Sequence, residues 1–320
     1  MNFDLTDDQE ALRDGIRSLC TGRFDMARNR AGFDRSVWDE LAETGVFSLI
    51  ADGFGWADAA IAFEELGRAL VPGPLVWGVL THGLLDDLDG GVVGGVERPI
   101  PDTPDQPAGP VMLEHLDALD ALVALDPGGV ARIDLAELVA GEPLDWPLDP
   151  LTPVHRVAVL PAGELIADAG TARQWQLAGA VLTAAYQVGM AHACVERATG
   201  YSLERYQFDR PVGSFQAIKH MLADALVRAE VARTAVHAAA VTLDDPEVGH
   251  VARAVAGAKL LAGEAALKNA RTAVQVHGGM GFTWEVDMHL YLKRAWVLDT
   301  VFGTPDETAG TVAATVGPKS

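Results

Sequence analysis

The sequence predicts an α+β chain that is mostly helical, with an N-terminal helical domain, a shortened middle β domain and a C-terminal four-helix bundle. Three observations carry that class. Apolar residues recur at helical spacing over about 1–88 and again over about 169–308. Between them, over 89–168, glycine and proline are dense and the apolar runs shorten to strand length. The C-terminal runs are long and rich in alanine, which suits close packing of antiparallel helices.

Thr6 followed by Gln9 fits a capping box and opens a first helix carrying Leu12, Ile16, Leu19 and Cys20 on one face. Ser36 is a candidate cap for a second helix with Val37, Leu41 and Val46. A third runs over 57–70 and stops at Pro72-Gly73; a short fourth is expected over 75–85. In the middle domain, strands are expected at 92–96, 111–114, 121–125, 130–135 and 154–160. Asp126-Pro127-Gly128-Gly129 reads as a turn between two of them. The bundle helices are expected over 171–206, 215–243, from Asp245-Pro246 toward Val276, and 284–302. Gly278-Gly279 stops the third, and 309–320 reads as a tail.

At 320 residues, 49% of them hydrophobic, the chain is long and apolar enough for a large core. Its 45 acidic against 24 basic side chains give a formal charge of −21. Such a field repels nucleic acid and anionic membranes, so neither is an expected partner. Any anionic ligand must be held by local arginine, amides, backbone N–H and helix ends. The acidic start lacks a basic region before an apolar core, so no secretory leader is expected. The most apolar stretch, 175–195, is interrupted by Gln176, Gln187 and His192, so no membrane span is expected and a cytoplasmic location is. Cys20 and Cys194 give no disulfide framework, and His192, His220, His237 and His250 have no metal-ligand spacing.

Two fragments carry candidate chemistry. In Glu204-Arg205-Tyr206-Gln207-Phe208-Asp209-Arg210-Pro211 a helix ends and Pro211 prevents its continuation. An arginine there presents a planar fork to a diphosphate, and Gln207 adds an amide. Read alone, Arg205 is a surface residue paired with Asp209 or a nearby glutamate. The second fragment, Gln275-Val-His-Gly-Gly-Met-Gly-Phe-Thr-Trp-Glu285, lets backbone approach a ligand at Gly278, Gly279 and Gly281. Read alone, it is a glycine-rich helix cap.

Together, Arg-x-Gln-Phe-x-x-Pro, then Phe-Gln-x-Ile-x-x-x-Leu-Ala-Asp, then Gln-x-His-Gly-Gly-x-Gly-Phe-Thr resembles the C-terminal domain of acyl-CoA dehydrogenases. The resemblance extends to the N-terminal domain through Leu5-Thr6-x-x-Gln9 and Phe63-Glu64-Glu65-Leu66-Gly67-Arg68, and is weak between. It implies FAD as cofactor and an acyl-CoA thioester as substrate. It implies that Arg205 and Gln207 grip the FAD diphosphate, that Gln275, Gly278, Gly279 and Gly281 form the adenosine-side loop, and that Phe208 and Gln216 line the same flavin. In the family these groups reach across a dimer interface.

Two features of the family are missing. Its usual glutamate precedes a Gly-Thr near the C-terminus, where Phe302 stands before Gly303-Thr304. An alternative position, before an arginine early in the first long helix, holds Ala172. Neither side chain can accept a proton, so no catalytic residue is assigned. The middle segment also lacks the Thr-Glu-x-x-x-Gly-Ser-Asp type of stretch that contacts ring and substrate. This pattern resembles the short, base-less subunits of two-gene actinobacterial steroid-type acyl-CoA dehydrogenases. It implies an α2β2 complex with a second, glutamate-bearing subunit, and an electron-acceptor flavoprotein. Two alternatives stay open: a self-sufficient enzyme whose base has moved to Glu285, Asp287, Asp299 or Glu204, and a flavin-free structural partner.

Overall fold

The computed structural model of the chain describes residues 4–85, 88, 90–98, 109–138 and 141–316. Its helices in chain order are α1 (Asp7–Arg23), α2 (Met26–Arg30), α3 (Arg35–Glu43), α4 (Trp56–Arg68), α5 (Leu75–Thr81), α6 (Ala169–Glu204), α7 (Gln216–Asp244), α8 (Val251–His277), α9 (Met288–Leu298) and α10 (Pro305–Val316). Its strands are β1 (Val93–Glu97), β2 (Val111–Glu114), β3 (Ala121–Asp126), β4 (Gly129–Ile133), β5 (Glu142–Pro143), β6 (Val154–Val157), β7 (Glu164–Asp168), β8 (Tyr206–Gln207) and β9 (Arg210–Pro211). The mostly helical α+β class predicted from sequence is the class observed.

Contacts gather the chain into two compact units: 1–27 with 55–71 and 180–320, and 28–54 with 72–179. These limits differ from the sequence segments because α4 packs on α6. The two helices meet backbone to backbone. A Cβ on Gly67 would strike the Tyr186 carbonyl, and one on Gly189 would strike the Glu64 carbonyl. The carbonyls beyond this crossing are used as well. Tyr291 donates its hydroxyl to Arg68 O (2.7 Å), and Tyr186 donates its own to Val71 O (2.9 Å). Asn269 on α8 ties three helices: it donates to Ala191 O of α6 (3.3 Å) and Ala225 O of α7 (2.8 Å), and accepts from Arg228 Nε (3.0 Å).

The second unit holds two sheets, ordered β1-β3-β4-β7 and β2-β6-β5. All pairs are antiparallel except β1 with β3. Leu122, Ala124 and Ile133 of the first sheet pack with Val111, Leu113 and Val157 of the second to make its core. Gly95 has no room for a side chain because the Trp77 ring lies over it.

Several local expectations change. The cap of α3 is Asp34, which accepts from Ser36 N (3.0 Å) and Ser36 Oγ (2.6 Å), so Ser36 lies inside the helix. The end of α4 is set by Leu70 in a left-handed conformation (φ 56°), ahead of Pro72-Gly73. Asp245-Pro246 opens only a 3-10 turn, and His250 caps α8. Residues 309–316 are not a tail but part of α10, opened by a Thr304–Glu307 capping box; 317–320 lie outside the described residues. The strands β5 and β7 are additions, with no alternation in sequence to announce them. One helix among the described residues, α6, is long and apolar enough to cross a membrane, and its apolar window is wholly buried inside the protein.

Candidate functional site

The end of α6 builds the first half of the site. Arg205 N donates to Tyr201 O (2.9 Å), and Val212 N donates to Arg205 O (2.8 Å), which closes the loop behind it. Between them β8 and β9 form a hairpin. Its two turn residues, Phe208 (φ 53°) and Asp209 (φ 61°), are both left-handed, as a tight hairpin turn requires. Aspartate tolerates that conformation; phenylalanine holds it at a cost. Phe208 is 86% exposed and meets Phe215 edge-on at 6.1 Å. Arg210 lies over the same Phe215 ring at 3.9 Å. Gln207 donates to the Tyr206 carbonyl (2.8 Å), and Gln216, first residue of α7, contacts His220 (3.2 Å). Arg205 is exposed, and neither Asp209 nor a nearby glutamate pairs with its guanidinium among the described residues.

The end of α8 builds the second half. Gly278 (φ 62°) closes the helix, and a 3-10 turn follows through Phe282. A Cβ at Gly278 or Gly279 would meet nothing within 4 Å, so this backbone is open to a ligand. Gly281 differs. It is buried, and a Cβ there would strike the Val274 carbonyl, so its missing side chain serves the fold. Gln275 is exposed in the last turn of α8. His277 is buried, with Nδ1 2.7 Å from Ala273 O. Its ring stacks on Tyr201 at 4.2 Å and 26°. The two fragments, some seventy residues apart in sequence, therefore meet side by side. Sequence spacing does not contain that stack; the only hint is a tyrosine one helical turn before Arg205.

The positions that lack a carboxylate are well packed. Phe302 is 2% exposed and left-handed (φ 52°), just before Gly303 (φ 107°) and the Thr304 cap of α10. Ala172 is buried in the first turns of α6. Of the candidate relocated bases, Glu285 and Glu204 are exposed, and Asp287 lies 3.6 Å from Arg197 Nη1. Asp299 stands apart. Burial pushes its carboxyl above the ordinary value, opposed by the charge of Lys259, and Lys259 donates to Leu298 O (2.9 Å). Asp299 also faces Gly263, where a Cβ would lie 2.5 Å from Oδ1.

An unpaired arginine, two exposed amides and open glycine backbone match the donor set a dinucleotide diphosphate needs. Comparison with known proteins gives the family. The acyl-CoA dehydrogenase N-terminal domain matches residues 6–86 and the acyl-CoA dehydrogenase C-terminal domain matches 174–317, leaving most of the sheet unit unmatched. Acyl-CoA dehydrogenase IpdE2 of Mycobacterium tuberculosis is 35% identical, over 90% of this chain and 91% of its own length. A chain of the ChsE4-ChsE5 complex from Mycobacterium tuberculosis matches with a TM-score of 0.81 at 21% identity, covering all of this chain and all of that one. The Tcur3481-Tcur3483 steroid ACAD matches with a TM-score of 0.80 at 20% identity, covering 97% of this chain and 98% of that one.

Proposed function

The chain belongs to the acyl-CoA dehydrogenase family, and from that premise we propose that it is the helper subunit of an FAD-dependent, two-chain acyl-CoA dehydrogenase. Arg205 and Gln207 hold the diphosphate, while Gln275 and the backbone of Gly278 and Gly279 take the adenosine side. Phe208 and Gln216 line the same arm. FAD, when bound, supplies the hydride-accepting chemistry of α,β-dehydrogenation. The partner chain supplies the glutamate that takes the α-proton of the thioester.

One observation carries the reading: Phe302, 2% exposed, stands before Gly303-Thr304, where the family resemblance puts the glutamate. A general base needs a heteroatom within hydrogen-bond reach of the proton, and phenylalanine has none. The likeness to the ChsE4-ChsE5 complex and to the Tcur3481-Tcur3483 steroid ACAD supports a heteromeric assembly, α2β2 in the simplest form, and the latter supports a bulky acyl group. An electron-acceptor flavoprotein reoxidises the complex.

The raised carboxyl of Asp299 favours a second reading, a self-sufficient enzyme with Asp299 as base. One experiment separates the two. In the complex with a glutamate-bearing partner, Arg205→Ala should weaken FAD binding about tenfold or more, the worth of a charge-assisted contact. Asp299→Asn should leave both FAD and turnover in place. Full FAD retention by Arg205→Ala favours a flavin-free structural role, whereas loss of turnover by Asp299→Asn with FAD still bound favours the second reading.

A further inference from the structure

The contact between Tyr201 and His277 has geometry beyond what packing of two helix ends requires. The rings lie 4.2 Å apart and 26° from parallel, close enough for a face-to-face stack. His277 is fixed from a second side. Its Nδ1 is 2.7 Å from the Ala273 carbonyl, an acceptor only, so the neutral ring carries its proton on Nδ1 and cannot flip without losing that bond. The Tyr201 hydroxyl adds little: it is 3.5 Å from His277 O and 4.0 Å from Met280 Sδ. The ring face is the tie.

Each ring also stands directly next to a cofactor-facing group. Tyr201 O accepts from Arg205 N, so the arginine sits one helical turn beyond the stack. His277 immediately precedes Gly278 and Gly279, whose backbone is open. Neither fragment reaches the other through a salt bridge between described residues. We propose that Tyr201 and His277 form a clasp that sets the separation between the Arg205 fork and the Gly278-Gly279 backbone. They are positioning residues for the diphosphate–adenosine arm, a role that rests on the FAD reading above. Because two donor groups must meet one ligand at once, a loosened clasp lowers affinity without touching the reacting atoms.

The test uses the flavin-stripped complex with its glutamate-bearing partner, titrated with FAD and, separately, with ADP as a probe of the arm alone. Tyr201→Leu removes the ring and is expected to raise both dissociation constants about tenfold, the upper range for an aromatic pair. Tyr201→Phe keeps the ring and should stay within about twofold. Turnover at saturating FAD should be unchanged in both. His277→Leu reads the pair from the other side and should match Tyr201→Leu. Unchanged affinities with a lowered melting temperature would make the stack mere packing and overturn the proposal. So would failure of both leucine variants to fold. Arg205→Ala serves as the reference: if it too binds normally, the FAD reading itself falls, whereas weak binding there beside normal binding in Tyr201→Leu removes the clasp alone.

Discussion

His192 lies on α6 at 8% exposure, and its Nε2 has no hydrogen-bond partner among the described residues. Burial holds its imidazole below the ordinary histidine value. Glu230 and Glu64 pull the other way, and Arg68 and Arg233 add to the lowering. The sign follows. Below the ordinary value of 6.5 the unfolded chain binds a proton that the folded chain refuses, so stability falls as pH drops through that window and is fully present above it. His192→Leu should flatten the difference in melting temperature between about pH 7.5 and about pH 5.5; an unchanged slope would clear His192 of that role. The sequence marks His192 only as a polar break in its most apolar stretch; its burial is a property of the packed helices. The cysteines are the opposite case. Two thiols so distant in sequence already excluded a disulfide framework; both are free and buried, and burial pushes both up to about 12. Arg205 sits between these cases: its place at a helix end is written in Pro211, while its lack of an ionic partner needed the structure to be seen.

Helices and caps were legible where a side chain acts on its own neighbours. Thr6 and Gln9 exchange hydrogen bonds at 3.1 and 3.2 Å, as the capping-box spacing requires. Gly278 ends α8 for a similarly local reason. The same spacing at Thr304 and Glu307 opens α10, where 309–320 reads as a tail from composition; the Thr304 amide and hydroxyl both donate to Glu307, whose carboxyl is held below its usual range. The hairpin at 206–211 was not legible, because its left-handed turn falls on Phe208 and Asp209 instead of glycine. Long-range geometry was equally hidden at the α4–α6 crossing. Gly67 and Gly189 face the carbonyls of Tyr186 and Glu64, so an alanine at either must push two helix backbones apart. Gly67→Ala should therefore cost about 1–3 kcal/mol, the range for overpacking, read as a lower denaturant midpoint at unchanged slope. A substitution tolerated at no cost would mean that the crossing is looser than its geometry.

At the scale of the molecule, three features converge. The helical ends of the chain match the family models, whereas the sheet unit between them does not. The two candidate fragments are joined through Tyr201 and His277, whereas Phe302, the residue before Gly303-Thr304, is an apolar side chain that is buried. The charge of −21 means that any anionic ligand is held by local donors against the field of the whole chain. Sequence reasoning reached the family because its motifs are local, and the absence of a glutamate before Gly303-Thr304 is visible as a letter. It could not reach the juxtaposition of the two fragments, which depends on how α6 and α8 end beside each other. The direct measurement is FAD content and acyl-CoA oxidation of this chain purified alone and together with a glutamate-bearing partner. The helper account predicts little flavin and no turnover alone, with both restored in the complex; one tightly bound FAD per chain and acyl-CoA oxidation by the isolated protein would contradict it.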